Sequence, residues 1–530
     1  MIKLRKNWLL SCLFITTATV IVPGTWAIIP ASSPLAQEAA DKPETEVTLQ
    51  QVQTALVEME KLAVQNLQKT GVPGMAIAVV YKDQIVYLKG FGVRQVGQPE
   101  PVDPDTVFQL ASVSKPIAAT VLARLVSEGV ISWDDPIAKY TPEFQLDQPY
   151  VSHSVTLRDM FSHRSGLAGH AGDLLEDIGY SQAEVLYRLR FLPTANRFRA
   201  KYAYTNFGLT AAAIAAARAA GQPWDVLSAN KLYRPLGMTS TSSRYADFMA
   251  ASNRASGHVL VNGQWMARSQ RQPDAQSPAG GVSSTVRDLA QWMRLQLAEG
   301  KFAGQQLIAP IALEETHRPQ VISGYSAMTN RPSFYGLGWG VNYDDQGQLR
   351  LSHSGAFNLG AATKVYLLPA ADLGIAVLTN SSPIGLPETI AESFADLVIA
   401  GRVQRDWAAL FKQAFAAMIT PQSTDYRKPP TPATPALPPS AYLGSYRNDY
   451  AGEIAIISQN GKLLLQFGPR KTTYPLRHYN RDLFTYLAPG ENGGVLSGVT
   501  FTIGADGQAS SVTLENFLQE GAGTFTRVTQ

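Results

Sequence analysis

Apolar positions recur at helical spacing over residues 49–68, LQQVQTALVEMEKLAVQNLQ, and the pattern then changes to strand character in VPGMAIAVVYKDQIVYLKGFG. This predicts a helix followed by two strands joined at Lys82 and Asp83, the start of an antiparallel sheet with helices on it. After Lys115, the run IAATVLARLVSEG puts Ile117, Val121, Leu122, Leu125 and Val126 on one face and stops at Gly129, which reads as a helix with a signalled end. Residues 208–220 and 285–298 read as further helices, and ATKVYLLPAADLGIAVLTN returns to strands with Pro-Ala-Ala-Asp as the turn. From Arg427, RKPPTPATPALPPS can build neither a helix nor a ladder and reads as a stiff, polyproline-like linker. Beyond Ser440 the alternation has period two, with turns at Asn460-Gly461 and Asp506-Gly507, so a small all-β domain of hairpins is expected, a barrel or a sandwich.

The first residues run MIKLRKNWLLSCLFITTATVIVPG: Lys3, Arg5 and Lys6, then an apolar stretch from Trp8 to Val22, then small residues. That order is an export signal, with Thr25-Trp-Ala27 and the region around Ala36 both fitting a cleavage site. A retained membrane anchor is the alternative, though the run is short for a span and contains three threonines. The protein is thus expected to be periplasmic or extracellular. The organisation read from the chain is 1–40 as signal and leader, 41–420 as the main domain, 421–440 as linker and 441–530 as the small β-domain.

At 530 residues, 45% hydrophobic and 16% charged, the chain has ample material for a core and no polar tract that would keep it unfolded. A net charge of +3 gives no basic stripe and no case for a nucleic-acid partner. The single cysteine, Cys12, lies inside the signal, so the mature chain would have no disulfide and no cysteine nucleophile. With seven scattered histidines, no His-Glu-x-x-His and no phosphate-binding glycine loop, neither a metal nor a cofactor is expected.

Candidate chemistry begins at ASVSKP, where Ser112 stands three residues ahead of Lys115 at a helix start. Residues three apart share a helix face, so the amine can reach the hydroxyl, and the helix N-terminus offers N–H groups to an oxyanion. Alone the spacing is weak, since Ser228-Ala-Asn-Lys231 repeats it. Tyr204-Thr-Asn206 and His353-Ser-Gly355 supply a phenol, an amide, an imidazole and an open turn. They too have decoys, in Tyr446-Arg-Asn448 and His170-Ala-Gly172.

Order decides between them. Ser112-x-x-Lys115, Tyr204-x-Asn206 and His353-x-Gly355 resemble the three-motif signature of the serine β-lactamase and penicillin-binding protein superfamily. The likeness is to its class C branch, with D-alanyl-D-alanine carboxypeptidases and related esterases. VPGMAIAVV, TVFQLASVSKPIAAT, VTLRDMFSHRSGL, LYRPLGMTST, PAGGVSSTVRDLAQWM and YGLGWGV resemble stretches of that branch in the same order, over roughly residues 50–400. The resemblance implies a β-lactamase/transpeptidase-like α/β (α+β) fold, an antiparallel sheet flanked by helices with a helical insertion, and an appended C-terminal barrel-like β-domain.

It also implies roles. Ser112 would be acylated, with Lys115 or ionised Tyr204 taking its proton, and Tyr204 would protonate the leaving group. Asn206 would orient Lys115 and the substrate, and the backbone N–H groups of Ser112 and Ala356 would form the oxyanion hole. Gly355 would let substrate lie close to its strand. His353 departs from the lysine of true class C β-lactamases and removes a fixed positive charge, which places β-lactam hydrolysis behind a D-Ala-type peptide or a small ester.

The remaining candidates read as structural: His163 in a loop, Asp134 and Asp135 in a turn, Ser162 and Ser165 beside Arg164 with no Gly-x-Ser-x-Gly elbow. The expected activity is that of an exported serine hydrolase acting on a small molecule or peptide. A penicillin-binding or sensing module that is acylated without turnover is the first rival. A scaffold whose C-terminal domain binds cell-wall material is the second.

Overall fold

The computed structural model describes residues 46–194, 197–268, 270–326, 330–419 and 424–529, so the signal and leader lie outside the described residues. Helix α1 (Leu49–Thr70) starts at a capping box between Thr48 and Gln51 and ends at Gly71, whose φ of 67° is left-handed. Strands β1 (Gly74–Tyr81) and β2 (Gln84–Gly92) follow as a hairpin. Its two turn residues, Lys82 and Asp83, have φ of 47° and 58°, the left-handed pair that matches strand twist.

The helical layer comes next, with α2 (Ser114–Ser127), α3 (Asp173–Asp177), α4 (Asn206–Ala219) and α5 (Val286–Leu297) as the elements that matter for the site. The chain then returns to strands: β3 (Val321–Tyr325), β4 (Pro332–Tyr335), β5 (Gly340–Tyr343), β6 (Leu349–Phe357), β7 (Ala361–Leu368) and β8 (Leu373–Thr379). Helix α6 (Leu386–Ala400) closes this region. Among the described residues these strands form one eight-stranded antiparallel sheet in the order β2-β1-β8-β7-β6-β5-β4-β3.

The sheet is covered on both faces, which is why β1 is buried at every position. Met75, Ile77 and Val79 join the core formed with α1 and α6, while Ala76, Ala78 and Val80 join the core that includes α2 and α5. Period-two alternation sends successive residues to opposite sides. Alanines 211, 212, 213, 215 and 216 in α4 are likewise buried, and their small side chains let this helix sit deep in the layer.

After a stretch over 429–438 with neither helix nor ladder, β9 (Gly444–Asn448) opens the C-terminal sheet. It continues through β10 (Gly452–Gln459), β11 (Lys462–Phe467), β12 (Thr472–Pro475), β13 (Arg477–Asn480), β14 (Leu483–Leu487), β15 (Leu496–Ile503), β16 (Ala509–Leu514) and β17 (Thr524–Arg527). The order is β12-β11-β10-β9-β17-β16-β15-β14-β13, so the two edge strands are separated in sequence by Leu476 alone. The sheet therefore curls until its edges nearly meet, a nearly closed barrel. The proline-rich stretch does not hold this domain at a distance. One apolar core runs from Leu174, Ile178 and Tyr180 into Tyr450, Ala451 and Phe467, and the described residues from Val47 onward form one compact unit.

Candidate active site

Ala111 has φ of 48°, a left-handed conformation that costs a residue with a Cβ about 1 kcal/mol or more. The single strained residue turns the chain from the extended pair at Phe108 and Gln109 into the 3₁₀ turn that leads α2, and it presents Ser112 half-buried at the front of the helix. Lys115 follows in the first turn of α2 and is fully buried.

The Lys115 amine lies 3.1 Å from Ser112 Oγ and donates to Asn206 Oδ1 at 2.6 Å and to the Ala279 carbonyl at 2.9 Å. Burial is the main reason its pKa falls from 10.5 to about 7; Asp173 opposes the drop and Arg271 adds to it. A neutral amine keeps two N–H donors and one lone pair. Asn206 and Ala279 accept the two donors, which leaves the lone pair for the Ser112 hydroxyl.

Tyr204 and Asn206 flank Thr205, the N-cap of α4, whose hydroxyl accepts from the Gly208 N–H at 2.7 Å. The cap fixes where the helix begins and with it the directions of its two neighbours. The Tyr204 hydroxyl donates to Ser112 Oγ at 2.8 Å, and its ring lies 4.5 Å from Lys115 Nζ. Burial pushes the phenol well above its ordinary pKa of 10, so Tyr204 holds its proton. His163 packs against the same ring at 4.5 Å between centroids and accepts the Thr205 N–H on Nδ1 at 3.2 Å. It steadies the Tyr204 segment, as a loop residue would.

Asn206 is held from both ends. While Oδ1 accepts from Lys115, Nδ2 donates to the two Asp173 oxygens at 3.1 and 2.9 Å, which fixes the amide orientation. Asp173 also faces His170 Nδ1 at 3.0 Å and raises the pKa of that exposed imidazole.

Opposite Ser112 lies β6. A Cβ on Gly355 would come within 2.2 Å of the Leu110 carbonyl, 2.4 Å of Thr363 Oγ1 and 3.0 Å of the Ser112 nitrogen. Only glycine allows this strand to pass so close to the turn that carries Ser112. The Thr363 hydroxyl donates to the Leu110 carbonyl at 2.7 Å and clamps the two together. Strand β5 pairs β6 only as far as Ser352, so among the described residues 353–357 have a strand on the β7 side alone. Ala356 is exposed there.

His353 is buried at 8% exposure, with Nδ1 donating to the Ser354 carbonyl at 2.7 Å and Nε2 accepting from Tyr335 at 2.9 Å. Burial, with Lys115 nearby, pushes its pKa down to about 3. The third motif thus presents a neutral imidazole with both nitrogens satisfied inside the protein.

The Beta-lactamase family profile matches residues 59–397. The chain belongs to that family of serine hydrolases. A second profile, a domain of unknown function (DUF3471), matches residues 428–525. Among relatives, the chain is 24% identical over 480 residues to the Unguisins hydrolase ungD' of Aspergillus campestris, covering 84% of this chain and 87% of that one. It is 24% identical to the D-alanyl-D-alanine-carboxypeptidase/endopeptidase AmpH of Escherichia coli, covering 62% of this chain and 85% of the relative. The octameric penicillin-binding protein homologue from Pyrococcus abyssi superposes with a TM-score of 0.58 at 20% identity, over 89% of this chain and all of that one, and shows the fold.

Within this beta-lactamase-family fold, Ser112, Lys115, Tyr204 and Asn206 meet, with Gly355 against them. Of the decoys, Ser228 bonds to Asp225 and Ser243 while Lys231 pairs with Glu128; Tyr446 bonds to Tyr442 and Arg527. His170 is different, because it stands beside Asp173 at the site's rim. Motif reading misses Asp173, Tyr335 and Arg271; the one signal for Asp173 is its place at the start of a short helix. A separate cavity of about 710 Å³, lined by hydroxyls such as Thr241, Ser242 and Ser243, contains none of the motif residues.

Proposed function

We propose that the protein is an exported serine hydrolase that works through an acyl-enzyme on Ser112, with Lys115 as the base. The observation that carries the proposal is the pair of hydrogen bonds at Ser112 Oγ, one with a lysine whose pKa is about 7 and one from a phenol that stays protonated. Neutral Lys115 takes the serine proton as Oγ attacks the carbonyl carbon, and the N–H groups of Ser112 and Ala356 receive the oxyanion. As the tetrahedral intermediate collapses, Tyr204 gives its proton to the departing amine or alcohol and regains one from the Lys115 ammonium. Water then attacks the ester, the acid leaves and Ser112 is restored.

The substrate class follows from charge. His353 is neutral and enclosed, and Arg271 is committed to Glu176 and Glu491, so among the described residues neither of these two groups offers a free cation to a carboxylate. A neutral ester, or a D-amino-acid peptide recognised through its backbone along residues 353–357, suits the site better than a carboxylate-bearing β-lactam. The hydrolase and carboxypeptidase names of the relatives agree with acyl transfer. The order of charged, apolar and small residues at the N-terminus supports export; no helix among the described residues is long and apolar enough to cross a membrane.

Intact mass over time, with an activated ester and with a penicillin, beside Ser112→Ala, tests the proposal. An adduct that requires Ser112 and then decays supports a hydrolase. A persistent adduct would mean a sensor, and no adduct with either reagent would overturn the assignment of Ser112.

A further inference from the structure

The C-terminal domain reaches the active site through two glutamate side chains, Glu520 and Glu491. On one side, the Gly172 N–H donates to the Tyr450 hydroxyl at 2.7 Å, that hydroxyl donates to Glu520 at 2.5 Å, and Glu520 also accepts the Leu174 N–H at 3.2 Å. Gly172 and Leu174 bracket Asp173, the residue that holds Asn206 against Lys115. Tyr450 and Glu520 are almost fully buried, so these bonds form away from competing water.

On the other side, Glu491 accepts the Asn358 N–H at 2.6 Å, its carbonyl accepts from the Asn358 amide at 3.2 Å, and its carboxylate lies 2.9 Å from Arg271. Asn358 is two residues past Ala356. The Arg271 guanidinium lies 5.0 Å from the Phe357 ring, and the Arg271 carbonyl accepts from Gln109, three residues before Ser112. Glu491 therefore grips the end of β6 and, through Arg271, the segment that leads into the nucleophile.

The contact is built for close approach. Gly452, Gly468 and Gly490 all have φ between 69° and 84°, and a Cβ on them would come within 2.5 Å of Tyr180, Ile178 and Asp177 respectively. Arg188 adds bonds to the carbonyls of Asp449 and Tyr450.

We infer that the C-terminal domain is a positioning part of the active site: Tyr450 with Glu520 sets the Asp173 turn behind Asn206, and Glu491 sets the end of β6 beside Ala356. The inference rests on the reading of Ser112 as nucleophile. None of these three side chains bonds to Ser112, Lys115 or Tyr204, so they act through the groups they hold.

The test uses the full chain and an activated ester, with kcat and KM measured for Tyr450→Phe, Glu520→Ala and Glu491→Ala beside Glu520→Gln and Glu491→Gln, and Ser112→Ala as the zero. Tyr450→Phe, which removes one oxygen, should lower kcat about tenfold while KM changes less than about threefold, since displacing a catalytic group by a fraction of an ångström weakens the transition state more than binding. The alanine variants should lose as much or more. The glutamines, which keep an acceptor of the same shape, should recover most of it. Wild-type kcat in folded Tyr450→Phe and Glu491→Ala would overturn the inference while leaving the nucleophile intact; should the alanine variants fail to fold, wild-type kcat in Tyr450→Phe overturns it alone. Loss of Ser112-dependent turnover in the wild type itself would instead overturn the underlying reading.

Discussion

Lys115 carries the pH dependence. Its base form exists only above its pKa, so kcat/KM should climb through an acid limb near pH 7, measured with an ester whose own ionisation is silent. The same residue is a stability liability. A drop from 10.5 to about 7 corresponds to about 5 kcal/mol of disfavoured charging, felt in full below pH 7. Between pH 7 and 10.5 the unfolded chain binds the proton that the folded chain has released, so stability rises with pH there. Lys115→Met should abolish turnover and raise the melting temperature, with a larger gain at pH 6 than at pH 9. At the third motif, His353→Lys should speed acylation by carboxylate-bearing substrates more than by neutral esters at pH 7 to 8. Equal effects would mean that the position does not read a carboxylate.

The elements supply distances that side chains alone cannot. Strand β6 and the turn that carries Ser112 meet because Gly355 has no Cβ and Thr363 bonds to the Leu110 carbonyl. Gly355→Ala should destabilise the fold by about 1–3 kcal/mol in urea unfolding, the range for overpacking, and should reduce kcat by moving the oxyanion site. An unchanged kcat would mean that the strand and the nucleophile can shift together. The helices and hairpins around this junction were largely legible in the sequence. The pattern after Lys115 is realised as α2, Lys82 and Asp83 make their turn, and Asn460-Gly461 joins β10 to β11, because each depends on residues near one another in the chain. Asp173 was not legible. It precedes Asn206 by 33 positions, and only the packing of its short helix beside α4 brings its carboxylate to that amide.

At the scale of the whole molecule, the core runs from the hydrolase layer into the β-barrel, and the proline-rich stretch lies outside it. A shared core and buried bonds across the contact couple the two parts energetically. Calorimetry on residues 41–530 should therefore show one unfolding transition, with Tyr450→Phe lowering its midpoint. Two separate transitions would mean that the β-domain folds and melts independently of the site it touches.

The period of each element, the hairpin turns and the three motifs in order could all be read along the chain, because helix faces, turn geometry and spacing are local properties. It also placed Ser112, Lys115, Tyr204, Asn206, His353 and Gly355 among the candidates. That burial brings Lys115 to about 7 and His353 to about 3, that Asp173 holds Asn206, and that Tyr450, Glu520 and Glu491 bond to the segments around the site emerge only once the chain is folded. Desolvation and long-range hydrogen bonds depend on what the folded chain packs around a group, and a linear pattern carries no record of that.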